Sequence, residues 1–339
     1  MTVRVLIVDD SLAMRAAVSN LLKKDPDIEV VGTAADAHAA RELIKSLNPD
    51  VITLDVEMPG IDGLDFLERL MRLRPMPVVM LSTLTAAGAT ASVNALALGA
   101  FECVNKSILS SPESATLATT VKAAAKHGKR SAHAALPKAA AHVLAVKPRA
   151  DAIIAIGAST GGVEALLHLL STFPENCPPT LVVQHMLDAF TSSFAARLDR
   201  HSKPKVVEAR PGAPLQQGTV YLAPGGPTHL ELGGVPGKLY CRVASGNRVS
   251  GHCPSVDQLF HSVARVAGSA AVGAIMTGMG SDGALGLKAM RDAGAKTLGQ
   301  DKASCVVYGM SAQAFKLGGV EKEIPLSRMG GEIMKACAA

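Results

Sequence analysis

Apolar and polar positions alternate along this chain in two long stretches separated by a break. Up to about residue 125, short aliphatic runs trade places with amphipathic segments. The runs at 3–8, 28–33, 51–54, 77–81 and 101–104 are the length of buried strands. The segments at 12–22, 39–47, 63–72, 90–98 and 115–125 carry the apolar spacing of helices. Five strands alternating with five helices predict an α/β domain with a doubly wound parallel sheet. The pattern fails from 126 to 149, where Ala, Lys, His and Pro dominate, and this stretch reads as a linker. Alternation then resumes. Strands are expected at 152–156, 180–183, 205–208, 219–222 and 271–276, a hairpin across 229–243, and helices at 163–170, 190–200, 254–267, 283–292 and 309–316. The prediction is therefore a domain at 1–125, a linker at 126–149, and a second, Rossmann-like α/β domain at 150–339 with an antiparallel hairpin insertion.

Composition narrows this only a little. The chain of 339 residues has 3% aromatic residues and no Trp, so its cores must be aliphatic, as buried parallel sheets usually are. A net charge of +5 spread over scattered Lys and Arg, with so few rings to stack bases, argues against nucleic acid as a partner. No apolar run is long enough to cross a bilayer, and no signal peptide is visible, so a cytoplasmic location without membrane insertion is expected. The six cysteines form no C-x-x-C pair and read as reduced, mostly buried residues.

Chemistry shows in where the polar residues fall. Asp9 and Asp10 follow the first strand, Asp55 the third, Ser82 the fourth, and Lys106 closes the fifth. In an open parallel sheet, ligands collect at these carboxyl ends. Three carboxylates at one edge repel one another unless a cation sits among them, and Mg²⁺, with its preference for oxygen ligands, suits Asp9, Asp10 and Asp55. Asp55 can then act as a carboxylate nucleophile toward a phosphoryl donor, with Lys106 and the Ser82 hydroxyl on the phosphoryl oxygens. A single strand-end Asp is usually a turn former; five such residues in register are a sharper signal.

In the second half, the strand at 152–156 runs into Gly157-Ala158-Ser159-Thr160-Gly161-Gly162 ahead of an apolar helix. Such a turn serves either a dinucleotide phosphate or a nucleophile backed by an oxyanion site. It is neither G-x-G-x-x-G nor a P-loop. The next strand ends in Gln184-His185, where a dinucleotide domain would carry an acid for the ribose. The G-x-S-x-G spacing of residues 157–161 follows a first strand, which is not the setting of a hydrolase elbow. Asp282, between glycines after the strand at 271–276, completes a set of nucleophile, base and carboxylate: Ser159, His185, Asp282. Taken singly each has a plainer reading, Ser159 and Asp282 as helix caps and His185 as a structural histidine. His252 is a weaker candidate for lining the site.

Two resemblances sharpen these expectations. Val-Asp-Asp-Ser at 8–11, Leu-Asp-Val-Glu-Met-Pro-Gly-Ile-Asp-Gly at 54–63 and Leu-Ser-Thr-Leu-Thr at 81–85 resemble the receiver domain of two-component response regulators. The resemblance implies Asp55 as the phosphorylated residue, Asp9 and Asp10 as metal-site acids, Ser82 as the switch hydroxyl and Lys106 as the phosphate contact. Ser107 stands where that family usually has Pro, and Cys103 where it usually has an aromatic. The segments 156–162, 182–186, 221–226, 252–257 and 276–283 are similar to the chemotaxis protein-glutamate methylesterase family. That resemblance implies a serine carboxylic ester hydrolase that demethylates glutamyl esters and deamidates glutamines on methyl-accepting chemoreceptors. It also implies phosphorylation by a chemotaxis histidine kinase, with an unphosphorylated receiver covering the Ser159 edge. It assigns Ser159, His185 and Asp282 to the triad, places Thr160 and the Met279 N–H near the oxyanion, and calls for no cofactor in this domain. Cys253 takes a position where the family often has Arg. A rival class is a response regulator whose second domain binds a nucleotide or a partner without catalysis.

Overall fold

The computed structural model describes residues 2–83, 85–107, 115–131 and 148–338. They divide into two units, residues 1–135 and 136–339, each described by itself.

In the first unit, β1 (Val3–Val8), β2 (Ile28–Ala34), β3 (Val51–Asp55), β4 (Val78–Ser82) and β5 (Glu102–Asn105) alternate with α1 (Leu12–Leu22), α2 (Ala37–Leu47), α3 (Gly63–Leu73), α4 (Ala86–Ala97) and α5 (Ala115–Ser131). The sheet has the order β2-β1-β3-β4-β5, all parallel. Strands β3 and β4 are buried throughout, which is why they read as near-continuous apolar runs, broken in β3 only by Thr53. Four helices start on side-chain caps: Ser11, Asp36, Asp62 and Thr85 each accept a backbone N–H from three residues on. The Thr85 cap starts α4 four residues before the predicted 90, in a stretch where Gly88 reads as a breaker. Helix α5 continues to Ser131, so residues 126–131 of the expected linker are helical. Its positions 132–147 lie outside the described residues.

The second unit has seven parallel strands in the order β14-β13-β12-β6-β7-β9-β8. They are β6 (Ile153–Ala158), β7 (Thr180–Gln184), β8 (Lys205–Glu208), β9 (Thr219–Leu222), β12 (Ala271–Ile275), β13 (Lys296–Gln300) and β14 (Lys322–Ile324). Helices α6 (Gly162–Ser171), α7 (Asp188–His201), α8 (Val256–Val266), α9 (Ala284–Asp292), α10 (Met310–Lys316) and α11 (Leu326–Ala336) flank the sheet. The hairpin forms as β10 (Thr228–Val235) and β11 (Lys238–Ser245), pairing antiparallel. Its Leu230, Leu232 and Cys241 share a core with Leu259, Phe260 and Val263 of α8, and the Leu232 N–H donates to Ser262 Oγ at 2.8 Å. Pro148 forms an antiparallel bridge to Ala338, and the Arg149 N–H donates to the Cys337 carbonyl at 2.8 Å.

Both sheets agree with the α/β reading of the sequence. Strands β13 and β14 and helix α11 have no counterpart in the predicted elements. Strand β13 buries Thr297, Gly299 and Gln300 beside a single Leu298, so it has no aliphatic run to detect. Helix α11 carries Gly330 and Gly331 at its centre. A Cβ on Gly330 would lie 2.0 Å from Thr172 Oγ1, so close packing demands the residue that hides the helix.

Candidate active site

Ser159 follows β6, the central strand of the larger sheet, and His185 follows its neighbour β7. The two strands pair with Ala158 opposite Gln184, and the His185 N–H donates to the Ala158 carbonyl at 3.1 Å. The register thus sets Ser159 and His185 side by side, one strand spacing apart, ~4.8 Å. Ser159 is not a helix cap. Gly161, in the left-handed region at φ 76°, occupies the N-cap of α6, and a Cβ there would meet Val306 at 2.5 Å. Instead the Ser159 backbone is fixed on three sides: its N–H donates to Thr277 O at 3.0 Å, and its carbonyl accepts Gly162 N–H at 2.6 Å and Gln184 Nε2 at 3.0 Å. The same Gln184 amide donates to the His185 carbonyl at 3.1 Å, tying the Ser159 and His185 positions through one buried side chain.

Asp282 comes from the loop after β12, on the other side of β6. Its Oδ2 lies 2.7 Å from His185 Nε2, with the carboxylate fully buried. Asp282 does not cap α9, whose N-cap is Gly283. It serves the start of α8 instead, accepting from Ser255 Oγ at 2.8 Å, Val256 N–H at 2.7 Å and Asp257 N–H at 3.1 Å. Burial pushes the Asp282 pKa up, but the bonds from His185, Ser255 and Val256 outweigh it and hold the carboxyl below its ordinary range. With Nε2 committed to the carboxylate, the other ring nitrogen is left to take a proton. His185 Nδ1 is buried and has no hydrogen-bond partner among the described residues.

The remaining expected residues fall around this set. Thr160 is buried, its carbonyl held by Thr277 Oγ1 at 2.9 Å. Met279 is half-buried on the loop that follows Gly278, and a Cβ on Gly278 would lie 2.8 Å from Ser159 Cβ. His252 is closer to the chemistry than a lining role suggests: its ring stacks on His185 with centroids 3.7 Å apart and planes 5° apart. Burial, then the neighbouring His185, pushes the His252 pKa down to about 4, so it is neutral at physiological pH. Cys253 sits beside His229, its Sγ 3.5 Å from Nε2. Residues that sequence reasoning missed are Gln184, Ser255, Thr277 and Gln300. Gln300 holds the Thr277 N–H at 2.9 Å and, through it, the loop above Ser159. Their only sequence signal is a polar residue at or beside the carboxyl end of a buried strand, or, for Ser255, at a helix cap.

The smaller sheet gathers its own polar set. Asp9, Asp10 and Asp55 offer carboxylate oxygens that all lie within 4.8 Å of one another. Lys106 Nζ is 2.9 Å from Asp9 Oδ2 and 2.7 Å from Asp55 Oδ2. Burial raises the Asp55 pKa, with Lys106 opposing it. Ser82 is buried at the end of β4, its hydroxyl within reach of the Thr83 and Gly88 carbonyls at 3.1 and 3.3 Å. Three converging hard oxygen donors match what a Mg²⁺ ion requires. The Ser107 N–H donates to Asn105 Oδ1 at 2.9 Å, a bond proline cannot make. Half-buried Cys103 donates to the Ser92 carbonyl of α4 at 3.4 Å.

Comparisons with known proteins agree with both halves. Residues 154–333 match a family model described as CheB methylesterase, and residues 5–117 one described as response regulator receiver domain. A protein-glutamate methylesterase/protein-glutamine glutaminase 1 of Caulobacter vibrioides is 57% identical over 341 residues, covering 99% of this chain and 98% of that protein. A protein of the same two activities from Agrobacterium fabrum is 52% identical, covering 99% and 97%. The crystal structure of the Thermotoga maritima CheB methylesterase catalytic domain is 34% identical with a TM-score of 0.53, and covers 54% of this chain and 97% of that one.

Proposed function

This chain belongs to the CheB methylesterase family, with a response regulator receiver domain ahead of the methylesterase domain, and from that premise we propose that Ser159, His185 and Asp282 carry its hydrolysis of glutamyl esters. The activities are those of a protein-glutamate methylesterase and protein-glutamine glutaminase. The observation that carries the residue assignment is the His185–Asp282 bond of 2.7 Å, which leaves a buried Nδ1 without a partner among the described residues, at the end of the strand next to the one that leads into Ser159.

In the proposed mechanism, His185 Nδ1 removes the hydroxyl proton as Ser159 Oγ attacks the side-chain carbonyl of a receptor glutamyl ester. The tetrahedral oxyanion forms near Thr160 and the Met279 N–H. His185 returns its proton to the leaving methanol; water, deprotonated by the same nitrogen, then attacks the acyl carbon, and His185 passes that proton to the departing Ser159 Oγ as glutamate is released. Asp282 holds the tautomer and stabilises the imidazolium. A glutamine follows the same course with ammonia as leaving group. Removing one oxyanion donor should cost roughly 10²–10³ in rate.

The receiver is proposed to accept a phosphoryl group on Asp55 from a chemotaxis histidine kinase. Asp9, Asp10 and Asp55 would hold Mg²⁺, which neutralises the crowded charge when bound. Lys106 already sits against both buried carboxylates, ready to follow the new charge on Asp55. The substrates are proposed to be the cytoplasmic domains of methyl-accepting chemoreceptors, so the enzyme would act in the cytoplasm. No helix among the described residues is long and apolar enough to cross a membrane.

The test is methanol release from methylated receptor membranes by intact protein and Ser159→Ala, each with and without a small-molecule phosphoryl donor and Mg²⁺. Donor-stimulated release that disappears in the variant is expected. Release that persists in Ser159→Ala overturns the triad.

A further inference from the structure

Two buried carboxylates, not one, stand at the junction of α8 and α9. Asp282, just before α9, accepts two backbone N–H groups and a hydroxyl at the start of α8. Asp257, in the first turn of α8, sends its carboxylate the other way and accepts the Gly286 N–H of α9 at 2.7 Å. The amino end of α8 is therefore closed by an acid from the loop leading into α9, and the first turn of α9 by an acid of α8. Both acids are at most 3% exposed, and neither has a Lys or Arg ion-pair partner among the described residues. What offsets their charge is the pair of helix amino termini, together with Ser255, Ser250 and the His185 ring.

We propose that Asp257 is a positioning carboxylate of the active site, which locks the first turn of α9, directly after Asp282, and adds its negative charge to the field in which His185 is protonated. The inference rests on the reading of His185 as the general base. A neutral residue at 257 could cap Gly286 equally well, since any side-chain carbonyl oxygen accepts that N–H. Placing a second buried carboxylate beside Asp282 is costly, and the cost shows: burial, with the Asp282 charge, pushes the Asp257 pKa up. The compensating gain is at the imidazolium, which forms once in acylation and again in deacylation. The groups facing Asp257 are Ser250, His261 on its own helix, and Asp282 and Gly286 from the α9 side. Those facing His185 are Asp282 and the stacked His252, itself influenced by Arg248.

The experiment compares the pH dependence of kcat/KM for methanol release in wild type, Asp257→Asn and Asp257→Ala, at fixed phosphoryl donor and Mg²⁺, with thermal melts alongside. Asparagine keeps the cap and removes the charge. The acid limb should move down by roughly 0.5 to 1 pH unit, with a melting temperature held or raised because a costly buried charge is gone. Alanine removes both, so it should show the same displacement together with a lower melting temperature. An acid limb unmoved in a stable Asp257→Asn enzyme, with release still dependent on Ser159, overturns this inference alone. Release that survives Ser159→Ala in the parent protein overturns the triad and this inference together.

Discussion

Replacing Asp282 by Asn separates two roles that one carboxylate performs. Its four acceptor bonds divide evenly: Oδ2 takes His185 Nε2 and Val256 N–H, and Oδ1 takes Ser255 Oγ and Asp257 N–H. An asparagine with its oxygen at the Oδ2 position keeps the first pair, and the Ser255 hydroxyl can rotate to accept from the new amide. Only the Asp257 N–H, the longest bond at 3.1 Å, then faces a donor. That orphan costs about 1–3 kcal/mol of stability, whereas the opposite rotamer would oppose two strong donors. The preferred rotamer preserves the histidine tautomer, so the catalytic loss comes from charge alone. At 2.7 Å and an effective dielectric of about 20, the imidazolium–carboxylate attraction is roughly 6 kcal/mol. The hydrogen bond from the imidazolium to a neutral amide oxygen recovers about 2, leaving about 4 kcal/mol, or roughly three powers of ten in kcat. The assay is methanol release under donor-saturated conditions, with a denaturant melt on the same preparation. An Asp282→Asn enzyme that is within tenfold of wild type would refute the claim that this carboxylate stabilises a charged His185.

Other consequences are as direct. Gly278→Ala places a methyl 2.2 Å from Met310 Sδ and 2.8 Å from Ser159 Cβ, so activity should fall at least tenfold with modest destabilisation, read as kcat against melting temperature. His252 folds with its pKa near 4, against an ordinary value of about 6.5. The unfolded chain takes that proton first on acidification, so the stability this residue contributes above pH 6.5 is lost as pH falls toward 4. Melts at pH 7.5 and 5 should show it, and His252→Gln should flatten that part of the slope. Mg²⁺ at ten times its Kd should stabilise the receiver unit by about 1.4 kcal/mol, and Asp9→Asn should abolish that increment in a calorimetric scan while leaving the catalytic unit's transition in place.

Much of the fold and site is legible in the sequence because strand-end chemistry and aliphatic strands announce each other. Val51 to Leu54 and Ile153 to Ile156 are buried on both faces, so the first polar residue beyond each marks the sheet's carboxyl edge. That signal leads to Asp55 and Ser159. It also pairs Asp282 with His185, but it does not reveal the second attachment of Asp282. The bonds to Ser255, Val256 and Asp257 join positions 25 to 27 residues apart in sequence, and local pattern holds no information about such tertiary capping. Gln184 is hidden for a similar reason: beside His185 it looks like a polar strand end, and only the folded backbone brings two carbonyls to its amide. Strand β13 escapes notice because its buried polar residues serve the site, Gln300 holding the Thr277 N–H, and so break the aliphatic rule by which strands are found.

The antiparallel bridge between Pro148 and Ala338 closes the catalytic unit almost into a ring. Its first and last described residues are neighbours in space, and they meet at the amino-terminal end of β6, the length of one buried strand away from Ser159. A short peptide joining 338 to 148 would complete the ring without touching the triad. The ring could then be opened at Gly237, in the tight turn of the hairpin, where φ is 84° and an added Cβ would meet no atom within 4 Å. Such a circular permutant would keep every parallel strand intact and present new ends at a loop tip. The order in which this sheet is written along the gene is thus a convenience of its connections, and the geometry that brings Ser159, His185 and Asp282 together does not depend on it.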